Sequence, residues 1–340
     1  MSKVKAWFLL FRPWSYTATL VPFLVAVGFL GGEYADWRSW ALGLFAGLCL
    51  QATVNLLNTW GDERNGVDDA PGAIRTTPQV HDGIISMRAV LIAAVAAAAV
   101  GVAAGAAACV YTSADTPEKV SLGGGWFLNV PALAAGVLGI LGATNYSTGV
   151  KFKYHGLGVP FVSMLMGPIE MFAALALAFP DFAAVLFYGA MSLYKVFLPD
   201  LCYLMLLSYL LVSLPVALLV GVIMHGNDMR DISSDRAAGI VTLASRLGPK
   251  GALWYYCAAH VVPYTICLII MYMYSGPGSF QRWLLLPLLC LPLSVRTIRT
   301  AVRVYRERPE APSWRGLERA SGLVHFIFGL LYAAAWALKH

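Results

Sequence analysis

Two groups of oxygen-bearing side chains, far apart in the chain, share one spacing. The stretch Asn227 to Thr242 follows the apolar run Leu201 to Met224. Continued as a helix, it places Asn227, Asp231 and Asp235 at i, i+4 and i+8 on one face, with Asp228 at i−3 to Asp231. A carboxylate inside a bilayer costs roughly 2.5–3.5 kcal/mol on insertion scales, so an acidic column where a span meets water points to function. Oxygen ligands without nearby His or Cys suit a hard cation, Mg²⁺ rather than Zn²⁺. The second group, Asn55, Asn58 and Asp62, falls at i, i+3 and i+7 at the end of the apolar run Trp40 to Trp60, with Gly66 and Asp68 just beyond. Asn58-x3-Asp62 and Asn227-x3-Asp231 are the same device used twice. Mg²⁺ usually takes one or two protein carboxylates and completes its shell with water and substrate phosphate oxygens, so two facing columns predict a bound diphosphate. Spacing alone leaves two other readings open: helix ends with solvated polar caps, and the ion pathway of a cation-coupled transporter. The acids gather at one face without a matching set in the outer loops, which argues against alternating access.

The elements that must position these columns are transmembrane helices. Of 340 residues, 59% are hydrophobic and 12% charged, and the mean hydropathy is +0.68. These values exclude an ordinary soluble domain and predict an all-α polytopic membrane protein in one domain, 1–340. About nine spans are expected, at 15–32, 39–60, 88–111, 130–146, 157–179, 201–225, 251–274, 282–299 and 319–338. Residues 181–199 hold Lys195 between prolines and are read as an interfacial or re-entrant segment. With the N-terminus inside, 19 of the 24 Lys and Arg lie on inner segments, which satisfies the positive-inside rule. The net charge of +6 is then mostly topological, and the Arg-rich stretch 296–319 is expected at the inner leaflet rather than on nucleic acid. Both columns emerge on the same inner face, in loops near 58–87 and 226–250.

Other polar residues share that face. The inner loop 146–156 carries Tyr146, Lys151 and Lys153; a lysine is a point charge for a diphosphate and a tyrosine hydroxyl can donate to one. Arg75 could pair bidentately with a phosphate, and a topology-setting role fits it equally. Gly66 would let Asp68 bend back toward a metal, while His81 reads as solvated. Residues 1–14 are basic and aromatic, an interfacial anchor before Pro13 turns the chain into its first span. No cleavable leader is apparent, so the first helix is expected to serve as the insertion signal. Gly101 and Gly105 permit close helix packing. Gly136, Gly139 and Gly142 leave room for an isoprenoid tail or for packing. The outer loop 111–127 reads as flexible, with no role assigned. The six cysteines fall in apolar spans and read as buried small hydrophobes.

Three stretches carry a resemblance: Asn55 to Asp68; Tyr154-His-Gly-Leu-Gly158 leading to Phe161 and Gly167-Pro168; and Asn227 to Gly248. They resemble the UbiA-type superfamily of intramembrane prenyltransferases, within it the branch of 1,4-dihydroxy-2-naphthoate polyprenyltransferases and their animal relatives. The last stretch is the most specific. There are two departures: Thr59 stands where many bacterial members have Asp, and Asp228 where a second Asn is common. The resemblance implies a UbiA-type helix bundle with a cytoplasmic N-terminus, and prenyl transfer from an allylic diphosphate to an aromatic acceptor in menaquinone biosynthesis. It further implies two Mg²⁺ ions bridged by the diphosphate and held by Asn58, Asp62, Asp68, Asn227, Asp231 and Asp235. Lys151, Lys153, Arg75 and Tyr146, with Asn58 and Asn227, would bind the diphosphate, and Asp62, Asp231 and Lys151 would carry the catalysis. The implied partners are a polyprenyl diphosphate, the aromatic acceptor and the bilayer. A bacterial inner membrane is the expected host, with the site facing the cytoplasm. A scaffold without catalysis is the remaining alternative, and the intact pair of columns argues against it.

Overall fold

The computed structural model describes residues 2–64, 78–112, 120–123, 126–146, 149–190, 199–237, 239–275, 281–309 and 314–339. Asp68 and Arg75 lie outside the described residues, as does the bend expected at Gly66.

The chain enters as α1 (Lys3–Phe11), capped by the Ser2 hydroxyl accepting from the Lys5 amide. Arg12 takes a left-handed conformation (φ 49°), and a 3₁₀ turn at Pro13–Ser15 redirects the chain into α2 (Thr17–Leu30). Then come α3 (Trp37–Arg64), the single turn α4 (Pro78–His81) and α5 (Met87–Ala108). Gly101 does permit close packing: a Cβ there would stand 3.0 Å from Cys49 Cβ and 3.2 Å from the Ala46 carbonyl of α3. His81 is not simply solvated; its Nδ1 lies 3.4 Å from Glu63 Oε1 and ties α4 to the end of α3.

The outer connection read as a flexible loop forms a small antiparallel sheet instead. Its strands are β1 (Val110–Thr112), β2 (Val120–Gly123) and β3 (Trp126–Leu128), in the order β1-β3-β2, with Tyr111 opposite Phe127 and Ser121 opposite Phe127 on the other side. Val110, Tyr111, Thr112, Val120, Trp126 and Phe127 are strand-favouring residue types, and loop composition around the glycines hid the pairing. Asn129 anchors its exit by capping α6 (Val130–Asn145) and donating to the Ala176 carbonyl at 2.6 Å.

The next span is composite: α7 (Gly158–Met164), a π-helical turn at Leu165–Ile169 containing Pro168, and α8 (Glu170–Ala178). Tyr209 donates its hydroxyl to the Pro168 oxygen within this irregular turn. The helix α9 (Pro180–Ala190) follows; the rest of the segment read as interfacial, 191–198 with Lys195, lies outside the described residues. The long α10 (Pro199–Arg230) leads to α11 (Ile232–Ala237) and α12 (Leu243–Tyr274). A capping box between Thr242 and Ser245 starts α12, and Gly248 (φ 69°) before Pro249 breaks it. A 3₁₀ segment at Arg282–Cys290 runs into α13 (Leu291–Glu307), and α14 (Leu317–Ala337) closes the bundle.

Among the described residues eight spans are long and apolar enough to cross a membrane, and α6 is a ninth, shorter apolar helix. The protein is a multi-pass membrane protein. Its outer core is aromatic: Phe29 meets Trp336 edge-on at 5.0 Å and Tyr264 meets Phe328 at 5.4 Å. The described cysteines are free, and Cys109, Cys267 and Cys290 are buried. On α13, Arg296, Arg299, Arg303 and Arg306 lie on the exposed side while Ser294, Thr297 and Ala301 are buried.

Candidate active site

A cavity of about 980 Å³ runs into the bundle, with an apolar body and a polar head. The body is walled by α5 and α6, including Gly101, Gly105, Gly136 and Gly139. A Cβ added at Gly136 or Gly139 would meet nothing within 4 Å, so these two glycines open space, whereas at Gly142 it would strike Leu165. Asn55, Asn58, Asp62, Asn227, Asp228, Asp231 and Asp235 line the same cavity.

On α3 the first column divides its labour. The Asn55 amide donates to the Phe11 carbonyl at 2.8 Å and to Ser15 Oγ at 2.9 Å, fastening the joint between α1 and α2. One and two turns on, Asn58 and Asp62 meet Lys153, whose Nζ donates to both Asp62 oxygens at 2.9 Å and to Asn58 Oδ1 at 3.4 Å. Tyr154 adds a hydroxyl to Asp62 Oδ1 at 2.9 Å. Burial opposes the ammonium of Lys153, but the Asp62 carboxylate outweighs it and holds the lysine pKa above its ordinary value. Lys153 sits on a 3₁₀ turn, Phe152–Tyr154, held by its amide bond to the Tyr146 carbonyl at 3.0 Å.

Lys151 is positioned differently. It holds a left-handed conformation (φ 58°) before that turn, with its Nζ 5.8 Å from the Tyr154 ring centroid, and it is not part of the cavity lining. Tyr146 is buried in the lining and donates to Met224 Sδ at 2.9 Å. Burial first, then the charges of Asp228 and Asp62, push its phenol well above the usual range, so it remains a donor.

The second column is not one straight helix. α10 ends at Arg230, and Asp231 falls at the break before α11, although the amide of Asp231 still bonds the Asn227 carbonyl (3.1 Å) and that of Asp235 the Asp231 carbonyl (2.8 Å). All three side chains therefore reach the cavity. Asp231 accepts from Arg230 Nε at 2.8 Å and Nη2 at 2.6 Å, and Arg230 also lies 3.5 Å from Glu318. Asp235 accepts from Thr242 Oγ1 at 3.2 Å. Burial, with the negative charge of Asp231, pushes its carboxyl up to about 7. The loops behind the two columns are stitched together: His155 bridges Val241, and Arg246 donates to the His155 carbonyl at 3.0 Å.

Among the described residues no three carboxylate, His or Cys groups stand close enough to hold a metal ion. Lys153 and Arg230 hold Asp62 and Asp231 instead. The donor set nevertheless suits a hard cation, since amide and carboxylate oxygens from both columns share one cavity head.

Sequence reasoning missed Arg12, Arg230, Tyr154, Arg315 and Arg319. Arg12 lines the cavity and donates to Thr59 Oγ1 at 3.4 Å, so the N-terminal lead is more than an anchor. Arg315 and Arg319 line the mouth too, Arg319 over the Trp14 ring at 4.9 Å, although the whole stretch 296–319 was expected at the lipid surface. Only their place on the basic face could have marked them.

Residues 19–317 match the UbiA prenyltransferase family. The chain belongs to that family. It is a membrane prenyltransferase of the UbiA type, acting on isoprenoid and aromatic substrates. Among its relatives, the Drosophila melanogaster UbiA prenyltransferase domain-containing protein 1 homolog is 27% identical over 99% of this chain and 81% of its own length. The Mus musculus UbiA prenyltransferase domain-containing protein 1 is 28% identical over 99% and 87%. These relatives are animal proteins and lend no support to a bacterial inner membrane. The fold is similar to that of a UbiA homolog from Archaeoglobus fulgidus bound to GPP and Mg²⁺ (TM-score 0.58, 16% identity, 98% of this chain and 99% of that one). It is also similar to the apo UbiA homolog from Aeropyrum pernix K1 (TM-score 0.56, 18% identity, 93% and 96%).

Proposed function

We propose that the protein transfers a polyprenyl group from an allylic diphosphate to an aromatic acceptor, 1,4-dihydroxy-2-naphthoate, whose carboxylate leaves as carbon dioxide to give the reduced (quinol) form of demethylmenaquinone. The observation that carries the reading is the single cavity with an apolar body and a head of paired acids and bases. An isoprenoid diphosphate has the same two halves, and each methylene buried in the body contributes about 0.8 kcal/mol. The acceptor assignment rests on the Asp235-to-Gly248 stretch and on the animal relatives, which align over almost the whole chain.

In this reading Asn58, Asp62, Asn227, Asp231 and Asp235, with Asp68, hold two Mg²⁺ ions. Magnesium, when bound, offsets the charge that builds on the departing diphosphate. Mg²⁺ bound to the fold neighbour from Archaeoglobus fulgidus supports this. Lys153 and Arg230, which hold the acids in this structure, are placed to turn onto the diphosphate, where Arg12 and the Tyr146 hydroxyl join them. The C1–O bond breaks with its electron pair leaving on the diphosphate, and an electron-rich ring carbon bonds to C1. Water must be kept from the allylic cation, and the apolar walls do so. The positive-inside distribution orients the head toward the cytoplasm. A transporter reading gains nothing, because the acidic residues of the cavity gather at its head and only Glu170 lies deeper.

The test is product formation by purified protein in lipid, with Mg²⁺ or chelator, offering 1,4-dihydroxy-2-naphthoate, 4-hydroxybenzoate and homogentisate with allylic diphosphates of several lengths. Mg²⁺-dependent prenylation of the naphthoate is expected. Prenylation of another acceptor alone would overturn the substrate assignment and keep the reaction.

A further inference from the structure

The cavity wall away from the glycine-lined side is not purely apolar. Glu170 opens α8 directly after the π turn, within a membrane span, and lines the cavity with Gln51. Such a group inside a span is a functional candidate by default, and π turns recur at functional sites. The position a Cβ would take at Gly47 is 3.4 Å from Glu170 Oε1 and 2.8 Å from Thr19 Cγ2, so α2, α3 and α8 converge there. Gln51 lies one turn further along the same face of α3, toward Asn55.

Two polar atoms of this cluster are orphaned. Thr19 is fully buried and Gln51 is 8% exposed. Glu170 Oε2 and Gln51 Oε1 are shielded from solvent and have no hydrogen-bond partner, while the Thr19 hydroxyl is directed at the Glu170 carboxyl. The Gln51 amide nitrogen is already used on Ser15 Oγ at 3.4 Å. Its carbonyl oxygen can only accept, so the missing group must donate. Around the cluster stand Phe23, Ala173 and Leu177, which suit a ring and offer no polar atoms. A prenyl tail has no donor to give, and ionised diphosphate oxygens only accept. A phenolic hydroxyl both donates and accepts.

We infer that Gln51 and Glu170, the latter backed by Thr19, form a hydrogen-bonding subsite for the hydroxyl of an aromatic acceptor, on the wall that α3 and α8 give to the cavity. Gln51 stands about 6 Å along the helix axis from Asn55 and about 10 Å from Asn58. A ring held there by one hydroxyl presents its other edge toward the diphosphate head. The subsite selects a hydroxylated, reduced ring over one that only accepts. It rests on the prenyl-transfer reading of the cavity.

The experiment is anaerobic equilibrium binding of naphthalene-1,4-diol and 1,4-dimethoxynaphthalene to the full chain in lipid, with geranyl diphosphate and Mg²⁺ binding measured on the same samples. The wild type should prefer the diol by about tenfold, the worth of one good hydrogen bond. Glu170→Leu and Gln51→Leu should each lose that preference while still binding geranyl diphosphate, and Glu170→Gln should keep it. Equal binding of diol and ether by the wild type, or an unchanged preference in both leucine variants, overturns the subsite, whether or not prenyl transfer occurs. A diol preference that the leucine variants abolish, in a protein that prenylates no aromatic ring, sustains the subsite and overturns the proposed reaction instead.

Discussion

The two acidic columns look alike in sequence and are held in opposite ways. Asp62 lies within one continuous helix, and its cation comes from 91 residues away, from Lys153 on the 3₁₀ turn. Asp231 lies at a helix break, and its cation is the next residue in the chain, Arg230, itself tied to Glu318 on α14. The first column is thus a tertiary clamp and the second a local one. A clamp made across the fold depends on the placement of the inner loop that carries the lysine. A local one opens by side-chain rotation. The difference gives the two columns separate routes to the same exchange of protein cation for metal and diphosphate.

Four measurements sharpen or break this comparison. Asp62→Asn and Asp231→Asn should each lower kcat by at least about a hundredfold in folded protein, and chelation of Mg²⁺ should do the same to the wild type. Near-normal turnover in either variant would sever that column from the chemistry. Lys153→Met should come next, with about a tenfold rise in KM for the allylic diphosphate and a lowered melting temperature, because Asp62 loses its buried partner. An unchanged KM would make the lysine purely structural. Thr242→Ala should cost about 1 kcal/mol of stability, read from thermal unfolding, since it removes both the cap of α12 and a hydrogen bond to Asp235. Lys151→Met should change KM by less than about twofold, because its ammonium sits over Tyr154 outside the cavity lining. A Lys151 effect as large as that of Lys153 would mean that the turn rearranges when substrate binds.

Much of the architecture was legible in the sequence. Apolar runs located every span because a chain in lipid must satisfy its backbone internally, which makes helix position a matter of hydropathy and length. The acidic residues of both columns were legible because carboxylates at span ends are rare. The small outer sheet was not, since three short strands around glycines have a weak period. The break after Arg230 escaped notice as well, because Asn227, Asp231 and Asp235 keep helical spacing through it. Lys151 and Lys153 could not be ranked from sequence: they differ by two residues, and a single turn sends one into the cavity and the other onto a ring.

By itself the sequence determined the membrane class, the order of the apolar helices, and the two columns of oxygen ligands. Those properties reside in composition and local periodicity. Only the tertiary structure decided which cations meet which acids, that Arg12, Arg315 and Arg319 join the cavity, and that Gln51 and Glu170 line it together. Apart from Arg230 with Asp231, these pairings join residues tens of positions or more apart, and distance along a chain carries no record of distance in space.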